Sequence, residues 1–264
     1  MSEFFLELFS EEIPAGLQKN LREKIFEDFK NLFEEKSIRS KKNFSFSTPN
    51  RLVLVFEGLD KQIKIKSKEI RGPKTSAPEQ ALEGFLRSNK INKKDLFKKK
   101  TEKDEFYFYK TVATSLKTHD LLTEFIPKIL SNYQWKKSMK WGEFDLNWGR
   151  PLKSILSIFD KKIVSFKFHH LTSSNLTFLD KDFEEKKRSF ENFKKYEKFF
   201  EDNGVIVNQN KRLKIINKSF LKILGKKGLK INENPKLMDE VVNLVDSPNA
   251  VSYTHLRAHE TAYH

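Results

Sequence analysis

The most constraining feature of this chain is a change of hydrophobic period near its start. Phe4 to Phe9 (FFLELF) is a short apolar run of strand length. Leu17, Leu21, Ile25, Phe29, Leu32 and Phe33 then recur at three- and four-residue spacing, which makes one apolar face of an amphipathic helix. SEEIP joins the two, with Pro14 near the first helical turn, where its missing N–H costs nothing, and the helix is expected to end near Lys36.

Two extended segments follow, NFSFSTPNRLVLVFEGL and QIKIKSKEI, with alternating and β-branched residues, broken at Thr48-Pro49 and Gly58. A hairpin or meander is the simplest expectation. RGP at Arg71 to Pro73 should close a strand, and Pro78 should open a short helix with Ala81, Leu82 and Phe85 on one side. EFYFYKTVAT, Glu105 to Thr114, reads as one aromatic strand, followed by a helix from about Leu116 to Tyr133 with a kink or break at Pro127. KKSMKWGEFDLNWGRPLKSILSIFDKKIVSFKF reads as a loop and two strands. Beyond Leu171, FENFKKYEKFFEDNG, NQNKRLKIINKSFLKILGKKG and NPKLMDEVVNLV read as helices ended by Gly204, Gly225 and Gly228. The expected class is therefore α+β: a mixed strand and helix domain over residues 1–171, then a mostly helical region over 172–250.

Composition excludes several kinds of chemistry. The chain has no cysteine, hence no disulfide, no thiolate nucleophile and no cysteine-bound zinc or iron–sulfur site. No stretch approaches about 18 consecutive apolar residues, and the N-terminus MSEFFLELFSEE is acidic where a signal peptide needs a basic flank. A cytoplasmic protein without a membrane partner is expected. The net charge of +15 nominates a polyanion such as RNA or DNA. A coding bias toward lysine explains the same number equally well, since nearly all of the charge is lysine.

No glycine-rich phosphate loop of the GxGxxG or GxxxxGK[ST] type is present. His169 and His170 are adjacent on an expected strand and so face opposite ways, which disfavours a shared metal, and no metal ligand set is expected. Glu11 and Glu12 beside a helix start could serve acid–base chemistry, but the helix dipole favours carboxylates there in any case. Lys137, Lys140 and Arg150 interleave with Trp135, Trp141 and Trp148, which combines cations for phosphates with rings for stacking bases. The alternative is that the tryptophans seal a core while the lysines stay solvated.

The order of short motifs resembles one family, the glycyl-tRNA synthetase beta subunit of bacteria. SEEIP after the opening strand is similar to its EIGTEELP, STPNRL (Ser47 to Leu52) to its ATPRRL, and RGP and EGF (Glu83 to Phe85) to the same triplets there. KKSMKWG (Lys136 to Gly142) resembles its PKSMRW, GRP (Gly149 to Pro151) its xRP, GVIVNQNKR (Gly204 to Arg212) its GVxxDxxxR, and LMDEVVNLVDSP (Leu237 to Pro248) its LLxEVTxLVExP. The chain departs from the pattern where the family carries T-x-G-H-R-F, since TFLDKDF (Thr177 to Phe183) stands there.

The resemblance implies a beta subunit that recognises tRNA(Gly) and assembles with an alpha subunit into an α2β2 tetramer. It implies that the alpha subunit holds the class II site activating glycine with ATP and Mg, so that this stretch carries no catalytic residue and binds no cofactor itself. Basic–aromatic clustering and family-like motifs together nominate Arg51, Arg71, Lys137, Lys140, Trp141 and Arg150 for RNA contact. A stand-alone basic RNA- or DNA-binding protein, or a pure assembly module, is the alternative. SYTHLRAHET in the final stretch, residues 251–264, resembles translated adapter sequence and is expected to be foreign to the gene.

Overall fold

The computed structural model describes residues 2–65, 67–100, 104–111, 114–179, 187–227 and 234–250. The terminal stretch 251–264 and residues 180–183 of TFLDKDF lie outside the described residues, as does Gly228. The chain divides into two compact units, one of residues 1–61 with 119–264 and one of residues 62–118.

The larger unit begins with β1 (Glu3–Ser10), α1 (Ala15–Glu35), β2 (Lys42–Thr48) and β3 (Arg51–Glu57). Pro14 caps α1, and Leu21, Ile25, Phe29, Leu32 and Phe33 of the expected stripe are buried. Each such side chain gains roughly 1.5–3 kcal/mol on burial, so the stripe decides where the helix lies. Phe4, Leu6 and Leu8 of β1 take one face of the sheet and Phe5, Glu7 and Phe9 the other, by strand alternation. Phe4 meets Phe29 at 5.4 Å, whereas Phe5 meets Tyr196 at 4.9 Å. Both faces of β1 are therefore covered, which explains a continuous apolar run in place of an alternating one.

The smaller unit is an insertion. It comprises β4 (Gln62–Ile65), β5 (Glu69–Lys74), α2 (Glu79–Asn89), β6 (Leu96–Lys100), β7 (Glu105–Lys110) and β8 (Thr114–Lys117). β4 pairs with β8, and β5-β7-β6 form a three-stranded antiparallel sheet. A meander through all the early strands does not form, because the free edge of β3 is taken by β1 from Glu3↔Glu57 to Phe9↔Arg51. RGP does not close β5 but lies within it, at a register shift between Arg71 and Lys74, where a proline without an N–H is tolerated. The strand expected over Glu105 to Thr114 stops at Lys110 as β7 of the three-stranded sheet, and Thr114 begins β8 of the ribbon with β4, so that Leu116, the expected start of a helix, lies in a strand.

The chain then returns through α3 (Thr118–Asn132), which accommodates Pro127, and β9 (Leu152–Phe159), β10 (Lys162–Ile163), β11 (Lys167–Phe168), β12 (Leu171–Thr172), β13 (Leu176–Phe178) and β14 (Lys187–Ser189). α4 (Phe193–Asp202), α5 (Gln209–Lys227) and α6 (Pro235–Leu244) complete it. The main sheet is antiparallel in the order β10-β9-β1-β3-β2. Elements β1-α1-β2-β3-α3-β9 with strand order β9-β1-β3-β2 make the split β-α-β-β-α-β arrangement, with the small unit inserted before its second helix. The class is α+β, strand-rich early and helical late.

Of the helices after Leu171, α4 with its flanking residues closes the second face of this same sheet, while α5 and α6 pack at the β2 edge. Phe190, Phe193, Tyr196, Phe200 and Val207 pack with Phe5, Phe46, Val53, Val55, Leu156 and Ile158 in one core. The change of character near Leu171 is thus a change of element type within one compact unit. Gly204 ends α4 with φ +83°, as glycine at that position requires, whereas Gly225 lies inside α5. His169 and His170 occupy the turn between β11 and β12, with His169 at φ +51°, and not a strand.

Candidate nucleic-acid interface

The loop between α3 and β9, residues 133–151, is held by rings. Trp135 and Trp148 meet edge to face at 5.0 Å, Tyr133 lies 4.9 Å from Trp135, and Trp148 reaches Phe168 at 5.8 Å. Met139 and Trp148 exchange backbone hydrogen bonds of 2.8 and 3.1 Å, which tie the two limbs of the loop together. The side chain of Trp135 lies directly on Gly149, where a Cβ would stand 2.0 Å from the indole. Two of the three tryptophans therefore pack inward, as in the alternative reading in which the rings seal a core: Trp148 is buried and Trp135 half-buried against it, and together they hold the loop.

Trp141 does something else. It is half-buried and meets the His170 ring at 5.9 Å, and His170 stacks flat on Phe144 at 3.7 Å and 9°. Burial, and then the neighbouring His169, hold the His170 pKa below its usual value, so its imidazole is a neutral ring at neutral pH. Phe144 is 43% exposed and Met139 41% exposed. Lys136, Lys137 and Lys140 are exposed on the same loop, and Arg150 is half-buried with one guanidinium nitrogen donating to the Gly149 carbonyl at 2.9 Å. Open rings beside cations can stack a base and hold its phosphate.

The structure brings together four of the residues nominated for RNA contact, Lys137, Lys140, Trp141 and Arg150. Arg71 lies in β5 of the inserted unit, its guanidinium 3.6 Å from the centre of the Phe106 ring. Arg51 belongs to the interior: it is 2% exposed, with Nε 3.1 Å from Glu7 Oε1 and the Phe9 and Phe200 rings each 4.6 Å from its guanidinium carbon. It also donates to the carbonyls of Phe178 and Leu179. A guanidinium so enclosed reaches no phosphate without opening the core.

Sequence reasoning missed two buried polar centres. Glu7 is fully buried with Arg51 and with Tyr196, whose hydroxyl donates to it at 2.5 Å. Burial raises the Glu7 pKa, opposed by Arg51, Thr177 and Tyr196, and burial with the adjacent Glu7 pushes the Tyr196 phenol well up. The second centre is Arg212, 0% exposed, which donates to Val242 O (3.0 Å), Ile206 O (2.6 Å), Val207 O (3.0 Å) and Ser47 O (2.7 Å). Burial pushes its pKa down to about 10, so it remains charged at neutral pH. It fastens the start of α5, the end of α6 and the outer edge of β2 together. Gln209, one turn earlier, receives the Ser47 N–H at 3.4 Å and donates to Ser45 O at 3.3 Å, taking the place of a further strand on that edge. Both centres were signalled, by a carboxylate inside FFLELF and by an arginine in line with Ile216 and Phe220 on the apolar side of α5.

Glu11 pairs with Lys153, and its N–H donates to Pro151 O at 2.9 Å, tying the end of β1 to the start of β9. Among the described residues no group of three or more His, Asp or Glu side chains is placed to hold a metal ion, and no helix is long and apolar enough to cross a membrane.

Comparison with known proteins covers nearly the whole chain. The family described as "Glycyl-tRNA synthetase beta subunit" matches residues 4–255. The "Glycine--tRNA ligase beta subunit" of Rickettsia canadensis (strain McKiel) is 37% identical over 248 residues, which are 94% of this chain and 37% of that protein. Its counterpart in Rickettsia bellii (strain OSU 85-389) is 38% identical over 248 residues, 94% of this chain and 38% of that protein. The chain thus spans a little over a third of the length of the curated relatives it matches. With a family match running from residue 4 to 255 and relatives 37–38% identical over 94% of its length, the chain belongs to the glycyl-tRNA synthetase beta subunit family.

Proposed function

We propose that this chain is part of the beta subunit of a glycine–tRNA ligase, supporting ATP-dependent attachment of glycine to tRNA(Gly) in the cytoplasm through tRNA recognition and subunit assembly. The observation that carries this reading is the family match along residues 4–255. The partner is an alpha subunit, in an α2β2 tetramer, and ATP with Mg acts at that subunit's active site. The part described here contributes binding and no catalytic group. Lys137, Lys140, Trp141 and Arg150 of the loop, and Arg71 of the inserted unit, contact RNA, while Arg51 serves the core. The stretch 251–264, whose first five residues fall at the end of the family match, is foreign to the gene.

The test is to join the chain to the continuation encoded at its source locus, mix that subunit with its alpha subunit, and measure glycine attachment to tRNA. Activity that requires both subunits is expected. Full activity of the alpha subunit alone, or none from the pair, would refute the reading. Alanine at Lys137, Lys140, Trp141 and Arg150 together should weaken tRNA binding; unchanged affinity would remove the loop from the interface.

A further inference from the structure

The charge of the chain is unevenly placed. Residues 62–118 carry fifteen Lys and Arg against seven Asp and Glu, a net +8 within 57 residues, and the other 207 residues carry the remaining +7 of the total +15. A coding bias toward lysine spreads charge along a chain and does not concentrate it in one inserted unit.

Within that unit the cations have a definite setting. Register places Arg71, Phe108 and Phe97 on one rung of the β5-β7-β6 sheet, and Lys74, Phe106 and Lys99 on the next. Lys99 lies 5.6 Å from the Phe108 ring, and Phe97 stacks on Phe108 at 6.0 Å while 37% exposed. The other side of the sheet is taken by α2, whose Phe85 ring lies 3.0 Å from the position of a Cβ on Gly72. Lys90, Lys94, Lys98 and Lys100 lead into and along the edge strand β6, exposed and without an ion pair among the described residues, while Lys74 and Lys99 pair with Asp104 and Glu69. Lysines on an edge strand also discourage strand-to-strand aggregation. That role accounts for one or two lysines on β6. It does not account for Arg71 and Lys74 lying over the Phe106 ring and Lys99 over the Phe108 ring, with only the Phe97 ring of that face left open.

We propose that the inserted unit is an RNA-binding module, gripping the phosphodiester backbone along the β6 edge through Lys94, Lys98 and Lys100 and stacking a base on the exposed Phe97 ring of the same strand, and that it supplies most of the salt-sensitive affinity of the chain for tRNA. The proposal rests on the tRNA-binding reading above. Phosphate contacts release counterions, so each lysine engaged adds about one to the slope of log affinity against log salt.

The experiment measures binding of a labelled tRNA(Gly) transcript by this chain across a salt series. It compares the unaltered chain with Lys94→Gln/Lys98→Gln/Lys100→Gln and with Lys137→Gln/Lys140→Gln/Arg150→Gln. All these positions are exposed or half-buried, so folding should survive, and circular dichroism checks it. The first variant should lose about 2–3 from the slope and the second clearly less. The proposal is overturned by an unchanged slope in the first variant, by a larger loss in the second, by polyglutamate competing as well as RNA at equal charge, or by no tRNA binding in the unaltered chain. Glycine attachment by the paired subunits separates the two ideas. Charging with an unchanged slope defeats this inference alone, and absence of both binding and charging defeats the function as well.

Discussion

Replacing Arg212 by methionine tests whether this buried cation organises the larger unit. The substitution keeps an unbranched apolar stem and removes the donors to Val242 O, Ile206 O, Val207 O and Ser47 O, all within 3.0 Å. A hydrogen bond to a charged group contributes about 1.5–3 kcal/mol, so these four have a gross value of roughly 6–12 kcal/mol. Against that stands a desolvation cost of several kcal/mol for holding a guanidinium out of water, which the variant no longer bears. The expected net loss is about 3–5 kcal/mol, a large part of the stability of an ordinary domain. All three tryptophans lie in the larger unit, so their fluorescence follows that unit during urea unfolding. With a denaturant slope near 2 kcal/mol per molar, the midpoint should fall by about 1.5–2.5 M. Arg212→Lys keeps the charge but replaces a planar fork by a compact ammonium that cannot reach all four carbonyls, and should fall between the two. A midpoint for Arg212→Met within about 0.5 M of the unaltered chain, at the same slope, would refute the reasoning.

Other perturbations give separate tests. Because burial raises the Glu7 pKa above its unfolded value, the folded protein holds that proton longer; the contribution of Glu7 to stability should be full below its unfolded pKa, fall as pH rises toward the folded pKa, and then level off, as the difference between the unaltered chain and Glu7→Gln across a pH series. Tyr196→Phe removes a hydrogen bond that favours the charged form, so the fall should continue to higher pH, which urea midpoints across a pH series would show; an identical profile would count against the assignment. Arg51→Met leaves the Glu7 charge buried without its partner and should cost about 3–5 kcal/mol, while adding Glu7→Gln should recover part of that loss in a double-mutant cycle. Gly149→Ala puts a methyl where the Trp135 ring lies, and should cost about 1–3 kcal/mol and shift tryptophan emission; an unaltered spectrum would contradict the packing. Gln209→Ala uncovers Ser45 O and the Ser47 N–H on the β2 edge and should increase self-association by light scattering, with no change expected only if that edge is closed by something else.

Much of the fold could be read from local pattern. The first strand and helix lie where the period of apolar residues changes, because that period records which side chains meet the core. Pro14 and Pro78 mark helix starts and Gly204 a helix end, because each restricts or frees one backbone torsion. The order of short motifs pointed to the family, and the match along residues 4–255 agrees. The basic–aromatic loop was also visible, although Trp135 and Trp148 turned out to build it and Trp141 to stand at its half-exposed side.

What the sequence could not decide depends on who pairs with whom. QIKIKSKEI has the alternation of a strand whether it extends the first hairpin or opens a new unit; only occupation of both edges of β3 sends it elsewhere. STPNRL and GVIVNQNKR show an arginine each, and nothing local separates a cation that meets a phosphate from one that meets a buried carboxylate or a set of carbonyls. That difference is made by the second layer of the fold. When α4 closes over the sheet and α5 and α6 pack against its β2 edge, they take Arg51 and Arg212 out of water, and two residues with the chemistry of RNA contact become the polar fastenings of the core.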